Sequence, residues 1–324
     1  MDIDLKNTKE SVLYIVVPCY NEEEVLLETA TRLKIKLLDL IKAQIISHNS
    51  KILFVNDGSN DKTWKIIKNL HENHSIFSGV DLTRNRGHQN ALLAGLMVAK
   101  DLADVTISMD ADLQDDIRVI DDMIKKYYQG YDIIYGVRSS RQEDTFFKRI
   151  TAELFYKFLA FMGGDIVFNH ADCRLMSKRS LISLSKFKEV NIFLRGIVPL
   201  IGYRTAIVEY SRGKRFAGES KYPLKKMLAL ALEGITSLSI RPLRIITFLG
   251  FIIFSISFLM SIWAIYQWFN GIVVSGWTSL ICSIWAIGGL ILISLGIIGE
   301  YIGKIYLEVK ARPRFLIKEI LNRD

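Results

Sequence analysis

From residue 245 to residue 299 the chain carries no Asp, Glu, Lys, Arg or His. Two apolar runs, 245–269 and 277–299, lie within this block, separated by Asn270, Gly271, Ser275 and Gly276. About 20 apolar residues in a helix cross a hydrocarbon core roughly 30 Å thick, so either run is long enough to span one. A pair of buried core helices is the alternative, but such helices rarely run so far without an ionisable residue. Trp263, Tyr266, Trp268 and Trp277 gather near the turn, where an interfacial aromatic belt would lie. Arg241 and Arg244 precede the first run, and Lys304, Lys310, Arg312, Arg314 and Lys318 follow the second, while the link between the runs is uncharged. The positive-inside rule then places both ends in the cytosol. The expected organisation is a cytosolic globular domain over 1–222, a juxtamembrane amphipathic helix over 223–244, a transmembrane hairpin over 245–299 and a cytosolic amphipathic tail over 300–324.

Outside the block the chain reads as an ordinary globular sequence with enough apolar residues for a full core. The 50% hydrophobic content of the 324 residues is therefore a local excess, and it excludes disorder, a collagen-like chain and a purely soluble protein. Cys19, Cys173 and Cys282 are scattered with no C-x-x-C spacing, so neither a disulfide framework nor a zinc ribbon is expected. Residues 1–10 are polar, which argues against a cleavable signal peptide.

Between residues 11 and 140 short Val- and Ile-rich runs at 12–17, 52–56, 79–82, 105–109 and 133–137 alternate with helical patterns at 22–41, 61–72, 89–100 and 117–129. That alternation predicts an α/β fold, a mostly parallel sheet with helices on both faces. Ligands of such sheets sit at the carboxyl ends of the strands. The first strand ends in Pro18-Cys19-Tyr20-Asn21-Glu22, the second in Val55-Asn56-Asp57-Gly58-Ser59, the fourth in Asp110-Ala111-Asp112-Leu113-Gln114-Asp115. No G-x-G-x-x-G follows the first strand and no Walker A occurs, so a dinucleotide fold or a P-loop NTPase is not expected. Carboxylates two apart at a strand end, Asp110 and Asp112, can both reach a hard divalent cation, with Gln114 offering another oxygen. Mg²⁺ and Mn²⁺ take such ligands together with substrate phosphates. A lone D-x-D is usually a turn; its position after an apolar strand, near two other polar strand ends, favours the metal.

Those three strand ends resemble the motifs of family 2 glycosyltransferases with the GT-A (Rossmann-like) fold. Gly218-Glu219-Ser220-Lys221-Tyr222 is similar to the polyprenyl-phosphate glycosyltransferases within it, dolichol-phosphate mannose synthase included, and the paired C-terminal apolar runs resemble the bactoprenol-phosphate glucosyltransferase branch. The resemblance implies inverting transfer of a sugar from a nucleotide diphosphate sugar, UDP-glucose or UDP-N-acetylglucosamine, to undecaprenyl phosphate at the cytosolic face of the cell membrane. The lipid-linked sugar would serve modification of cell-envelope glycans. It implies a divalent metal, Mg²⁺ or Mn²⁺, on Asp110, Asp112 and Gln114, and no nucleic acid partner. Pro18, Tyr20, Asn21, Glu22, Val55, Asp57, Asp110 and Ala111 would line the nucleotide sugar, and Arg215 and Lys221 would belong to a basic loop closing over its diphosphate. Arg138, Arg149, Arg212 and Ser220 are the acceptor-phosphate candidates; a guanidinium fork suits phosphate. Asp112, Asp172, Arg215 and Lys221 are the catalytic candidates, Asp172 as a base or a ligand of a sugar hydroxyl.

A phosphate monoester is largely dianionic at neutral pH, so the acceptor needs positioning and leaving-group neutralisation more than a strong base. The net charge is +8, and seven basic residues between 203 and 226 face only Glu209 and Glu219. Basic juxtamembrane residues commonly just answer anionic lipid, which suits Lys225 and Lys226. The aromatic stretch 146–162 reads equally as a surface-lying helix or a core helix. His71 and His74 read as solvated helix-end residues, and His170 as a loop residue. Q-x-x-R-W, the acceptor-side motif of processive family 2 synthases, is absent, which argues for a single transfer. The rival readings are a processive or lipid-headgroup transferase of the same fold, and a transport component with a vestigial catalytic domain. Gly296, Gly299 and Gly303 share one side of the second run, and a homo-oligomer, with a tetramer favoured, is expected.

Overall fold

Side chains alternate along the first strand so that both faces of the sheet are covered. Leu13, Ile15, Val17 and Cys19 enter one apolar cluster with Leu26, Leu33, Ile67, Ile120 and Met123, while Tyr14 and Val16 enter a second with Leu92, Leu96, Leu181 and Ile197. The computed structural model describes residues 10–112, 114–138, 170–210, 241–270 and 276–322. In chain order these form β1 (Leu13–Cys19), α1 (Leu26–Lys42), β2 (Lys51–Asn56), α2 (Thr63–Asn73), β3 (Phe77–Leu82), α3 (His88–Leu102), β4 (Val105–Ser108), α4 (Val119–Tyr128) and β5 (Ile133–Arg138). Then follow β6 (His170–Ser177), α5 (Lys178–Leu184), α6 (Leu194–Leu200), β7 (Thr205–Tyr210), α7 (Arg241–Phe269), α8 (Trp277–Lys310) and β8 (Ile317–Leu321). Helices α1, α2 and α4 cover one face, and α3, α5 and α6 the other.

The eight strands lie in the order β7-β5-β6-β4-β1-β2-β3-β8. β1 is parallel to β2 and β4, β2 to β3 and β5 to β7, while β6 and β8 run antiparallel to their neighbours. Strand order therefore reverses beside β1, between β2 on one side and β4 on the other. This is the topological switch point at which open α/β sheets hold their ligands. Pro18 is tolerated in this central strand because the β4 ladder ends at the Val16–Ser108 pair, before the missing N–H would be needed. Helix α3 lies so close that a Cβ on Gly95 would stand 2.5 Å from Val16 and 2.6 Å from Val55.

The five expected strands and four expected helices are all present, shifted by a few residues at their ends. Four features differ from the expectation. His170 opens strand β6 rather than sitting in a loop. β7 follows α5 and α6, which the sequence pattern does not announce. His71 is buried rather than solvated: its Nδ1–H donates to the Phe77 carbonyl at 2.7 Å. The C-terminal segment, expected as an amphipathic tail, forms the edge strand β8 over Ile317–Leu321, and its alternation of apolar and polar residues has period two.

The chain divides into two compact units, and Arg312–Asp324 belongs with the sheet unit rather than with Pro223–Ala311. Helix α7 has 29 residues and α8 has 34, about 43 Å and 51 Å at helical rise. α7 begins at Arg241, ahead of the uncharged block, and α8 continues past it, since Glu300, Lys304 and Leu307 are good helix formers. The apolar windows Arg241–Met260 and Ser283–Lys310 are long enough to cross a membrane and none of their residues is buried. Phe251, Phe254 and Leu292 are exposed. A helix apolar all round needs an apolar surrounding, so this part of the chain associates with a membrane. Helix α8 ends in a left-handed turn at Ala311, φ +45°, shortly before Pro313.

Candidate active site

The loops after β1 and β2 are stitched together by hydrogen bonds. Asn21, in the left-handed region at φ +53°, donates its N–H to Ser59 Oγ at 3.0 Å and accepts the Asn60 N–H at 2.9 Å. Asn tolerates that conformation better than most residues. Glu22 N–H donates to Thr63 Oγ1 at 2.9 Å, and Glu23 exchanges bonds with Asp61 and the Lys62 N–H. Tyr20 stands out at this rim, 43% exposed.

Asp57 ties the second loop to a third. Its carboxylate is 2% exposed and accepts the backbone N–H groups of Arg86 at 2.7 Å and Gly87 at 2.9 Å, immediately before α3. Burial pushes the Asp57 carboxyl up, and those two amides with the charges of His88 and Arg86 work against it. Gly58 has φ +62°, and a Cβ there would lie 2.5 Å from the backbone of Arg84 and Asn85. Only glycine lets the two loops close to this distance.

At the other side of the switch point Asp110 follows β4. His88, at the start of α3, holds Asp110 Oδ1 through Nε2 at 3.1 Å. Asp172, on β6, completes a group with them in which the three ligand atoms lie within 4.8 Å of one another. Arg195, on α6, grips Asp172 with two bonds of 3.1 and 2.9 Å. The Leu194 N–H donates to Gln89 Oε1 at 2.8 Å, which joins α6 to α3. Burial opposes charge on the His88 imidazole, but the hydrogen bond and charge of Asp110, with the charge of Asp172, raise its pKa to about 9. Burial likewise opposes charge on Asp172, yet the Arg195 guanidinium, with His88 and Arg174, holds its carboxyl well below the usual carboxylate range. A carboxylate so held is a weak proton acceptor. The constellation is thus two carboxylates balanced by two cations.

The rest of the acidic loop is braced from three sides. Thr29 Oγ1 donates to the Ala111 carbonyl at 2.7 Å, Asp112 accepts the Gln114 N–H at 3.2 Å, and Tyr210 donates to Asp115 at 2.6 Å. Asp112 is buried, and Asp110 keeps 27% of its side chain exposed. Oxygen donors from Asp110, Asp112 and Gln114 are the set that Mg²⁺ or Mn²⁺ accepts. His88, Asp110 and Asp172 make a second candidate set, one imidazole nitrogen and two carboxylates close enough together to share an ion.

Of the residues singled out in the sequence, Pro18, Tyr20, Asn21, Glu22, Asp57, Asp110, Ala111, Asp112 and Gln114 are gathered on the loops around the switch point. Val55 lies at the end of β2 with its side chain wholly buried beside Gly95 of α3, which leaves its backbone as the part near this edge. Arg138 ends β5. Its side chain, together with Arg149, Arg212, Arg215, Ser220 and Lys221, lies outside the described residues. Sequence reasoning missed His88, Arg195 and the Arg86–Gly87 amides. The signal available was Gly87 followed at once by His88 and Gln89 at a helix start, two polar residues where an apolar pattern begins.

The profile of Glycosyl transferase family 2 matches residues 14–184. YkoT, an uncharacterized glycosyltransferase of Bacillus subtilis (strain 168), is 54% identical over 308 residues, covering 95% of this chain and 91% of that protein. A prophage bactoprenol glucosyl transferase homolog of Escherichia coli (strain K12) is 40% identical, covering 94% of this chain and 98% of its own. The bactoprenol glucosyl transferase of Shigella phage SfX is 42% identical with the same coverage. Matched along nearly its whole length in this way, and carrying an acidic loop at the switch point of a mostly parallel sheet, the chain belongs to glycosyl transferase family 2 and is a glycosyltransferase.

Proposed function

We propose that the protein transfers one sugar from a nucleotide diphosphate sugar to undecaprenyl phosphate at the cytosolic face of the membrane, with inversion. The observation that carries this reading is the union, in one chain, of a polar group of side chains around Asp110 and two exposed apolar helices. Relatives named for bactoprenol glucosyl transfer match across both parts. UDP-glucose and UDP-N-acetylglucosamine are the favoured donors.

The loops after β1 and β2 hold the nucleoside, with Asn21 and Asp57 fixing their shape and Tyr20 and Glu22 at the rim. Asp110, Asp112 and Gln114 would hold Mg²⁺ or Mn²⁺, which supplies charge neutralisation for a diphosphate leaving group. His88 and Arg195 offset the two carboxylates, so that a polyanionic donor can approach Asp110 without meeting uncompensated negative charge. Asp172, with both oxygens on Arg195, acts as a ligand of a sugar hydroxyl rather than as a base. Arg215 and Lys221 shield the diphosphate, while Arg138, Arg149, Arg212 and Ser220 receive the acceptor phosphate. The acceptor dianion attacks the anomeric carbon directly, and the nucleoside diphosphate departs. Helices α7 and α8 form a hairpin with both ends cytosolic, and the open space beside Gly296, Gly299 and Gly303 suits contact between copies in a tetramer.

The test supplies purified protein with undecaprenyl phosphate and a panel of nucleotide sugars. Release of nucleoside diphosphate that requires the lipid phosphate, with a sugar-lipid of inverted anomeric configuration, is the expected result. Release without acceptor, or extension to more than one sugar, would overturn the reading.

A further inference from the structure

Strand β8 follows the second apolar helix and pairs antiparallel with β3. From it Lys318 reaches Asp81, Nζ to Oδ2 at 3.1 Å. Asp81 is buried at the C-terminal end of β3, 3% exposed, and a buried carboxylate is stable only with a charge partner and filled hydrogen bonds. Its other oxygen accepts the Asn56 Nδ2–H at 2.7 Å. An amide side chain has a donor end and an acceptor end. Fixing Nδ2 on Asp81 therefore turns Asn56 Oδ1 toward the Ser59 N–H, which it accepts at 3.3 Å. Ser59 Oγ in turn accepts the Asn21 N–H. One continuous relay thus runs from the last strand of the chain to both loops of the proposed nucleoside site.

We propose that Lys318 is a positioning residue for the donor nucleotide. Through Asp81 and Asn56 it sets the turn at 56–59 and, through Ser59, the loop at 20–22. The proposal rests on the reading of those loops as the nucleoside site. The strand itself does not depend on Lys318. The Thr83 N–H donates to the Leu316 carbonyl at 3.0 Å, Asn322 Oδ1 accepts from Lys51 and Ser78, and Glu319 pairs with Lys68 at 2.8 Å. The Lys68–Glu319 pair is a solvent-exposed contact on the same strand and makes a control.

The experiment measures binding of UDP and of GDP to the detergent-solubilised full chain by calorimetry, and KM and kcat for the nucleotide sugar. Loss of a charge-assisted relay predicts about tenfold weaker nucleotide binding and a matching rise in KM for Lys318→Met, with kcat within about twofold of wild type. Lys318→Arg and Lys68→Ala should both bind as wild type does. Calorimetry separates affinity from folding, because a partly unfolded sample loses stoichiometry at unchanged Kd, and that outcome overturns the proposal. An unchanged Kd at full stoichiometry overturns it too, as does equal weakening in Lys68→Ala. If the wild-type protein binds neither nucleotide, the reading of the loops fails and the proposal with it.

Discussion

Replacing Arg195 by methionine keeps much of the side-chain volume and removes the guanidinium that grips Asp172. The ligand atoms of Asp110 and Asp172 lie within 4.8 Å of each other, a repulsion of about 3.5 kcal/mol at an effective dielectric constant near 20. His88 and Arg195 offset it in the native protein, and after the substitution His88, with the charge of Arg174 on Asp172, must serve both carboxylates. Arg195 and Asp172 keep 31% and 23% of their side chains exposed, so the cost falls below that of breaking a fully buried pair, at about 2–3 kcal/mol. In a unit of this size that lowers the thermal midpoint by roughly 4–12 °C.

The assay is a double-mutant cycle with Asp172→Asn, read as thermal unfolding of the solubilised protein at pH 7. Asparagine removes the repulsion, so Arg195→Met in that background should cost less than about 1 kcal/mol, a coupling of about 1.5–2 kcal/mol. The folded state holds the Asp172 carboxyl below its unfolded value. Its contribution is therefore present above the unfolded pKa of about 4 and is lost as pH falls through the folded value. At pH 7 it is fully expressed, and Arg195→Met should flatten the acid limb of the stability curve. Equal cost of Arg195→Met in both backgrounds would refute the reasoning.

Asp112→Asn should lower turnover at least about a hundredfold while the protein stays folded and membrane-associated; substantial activity that still responds to added Mg²⁺ or Mn²⁺ would count against Asp112 as a ligand. Lys221→Ala should lower turnover about tenfold or more with membrane attachment intact, because one basic residue is worth only about 1 kcal/mol of lipid attraction; detachment from membranes in a flotation assay would instead assign that loop to lipid. Gly58→Ala forces a left-handed alanine against backbone atoms 2.5 Å away, so a loss of at least about 2 kcal/mol is expected, seen as a lower thermal midpoint. The oligomer is tested by the mass of the detergent-solubilised protein with detergent subtracted, where a single 37.0 kDa protomer would exclude the tetramer.

Much of the fold was legible because it is written in local periods. Leu26, Leu33 and Leu37 recur at helical spacing and are all buried on α1, and the Val- and Ile-rich runs of β1 to β5 need no distant partner to be recognised. β6 was missed because Asp172 and Arg174 interrupt its apolar pattern. Arg174 is 3% exposed and lies over the Tyr135 ring, with the guanidinium 5.6 Å from the ring centre, a burial that no rule of composition anticipates. β8 was misread because a short alternating edge strand resembles an amphipathic tail until its partner is known.

The candidate site divides in the same way. Sequence alone determined the family resemblance, the acidic loop after β4, the polar loops after β1 and β2, and the two apolar spans, since each is a run of neighbouring residues whose chemistry is visible without its surroundings. Only the tertiary structure decided that Asp57 spends its carboxylate on the Arg86 and Gly87 amides, that Asp110 meets His88 and Asp172, that Arg195 neutralises the latter, and that Lys318 reaches back to Asp81. These contacts join residues from different strands and helices, and the reversal of strand order beside β1 brings them together. A charge shows its partner only when the chain has folded, because the Coulomb and hydrogen-bond energies that select it depend on distance in space and on burial, and neither is a property of position along the chain.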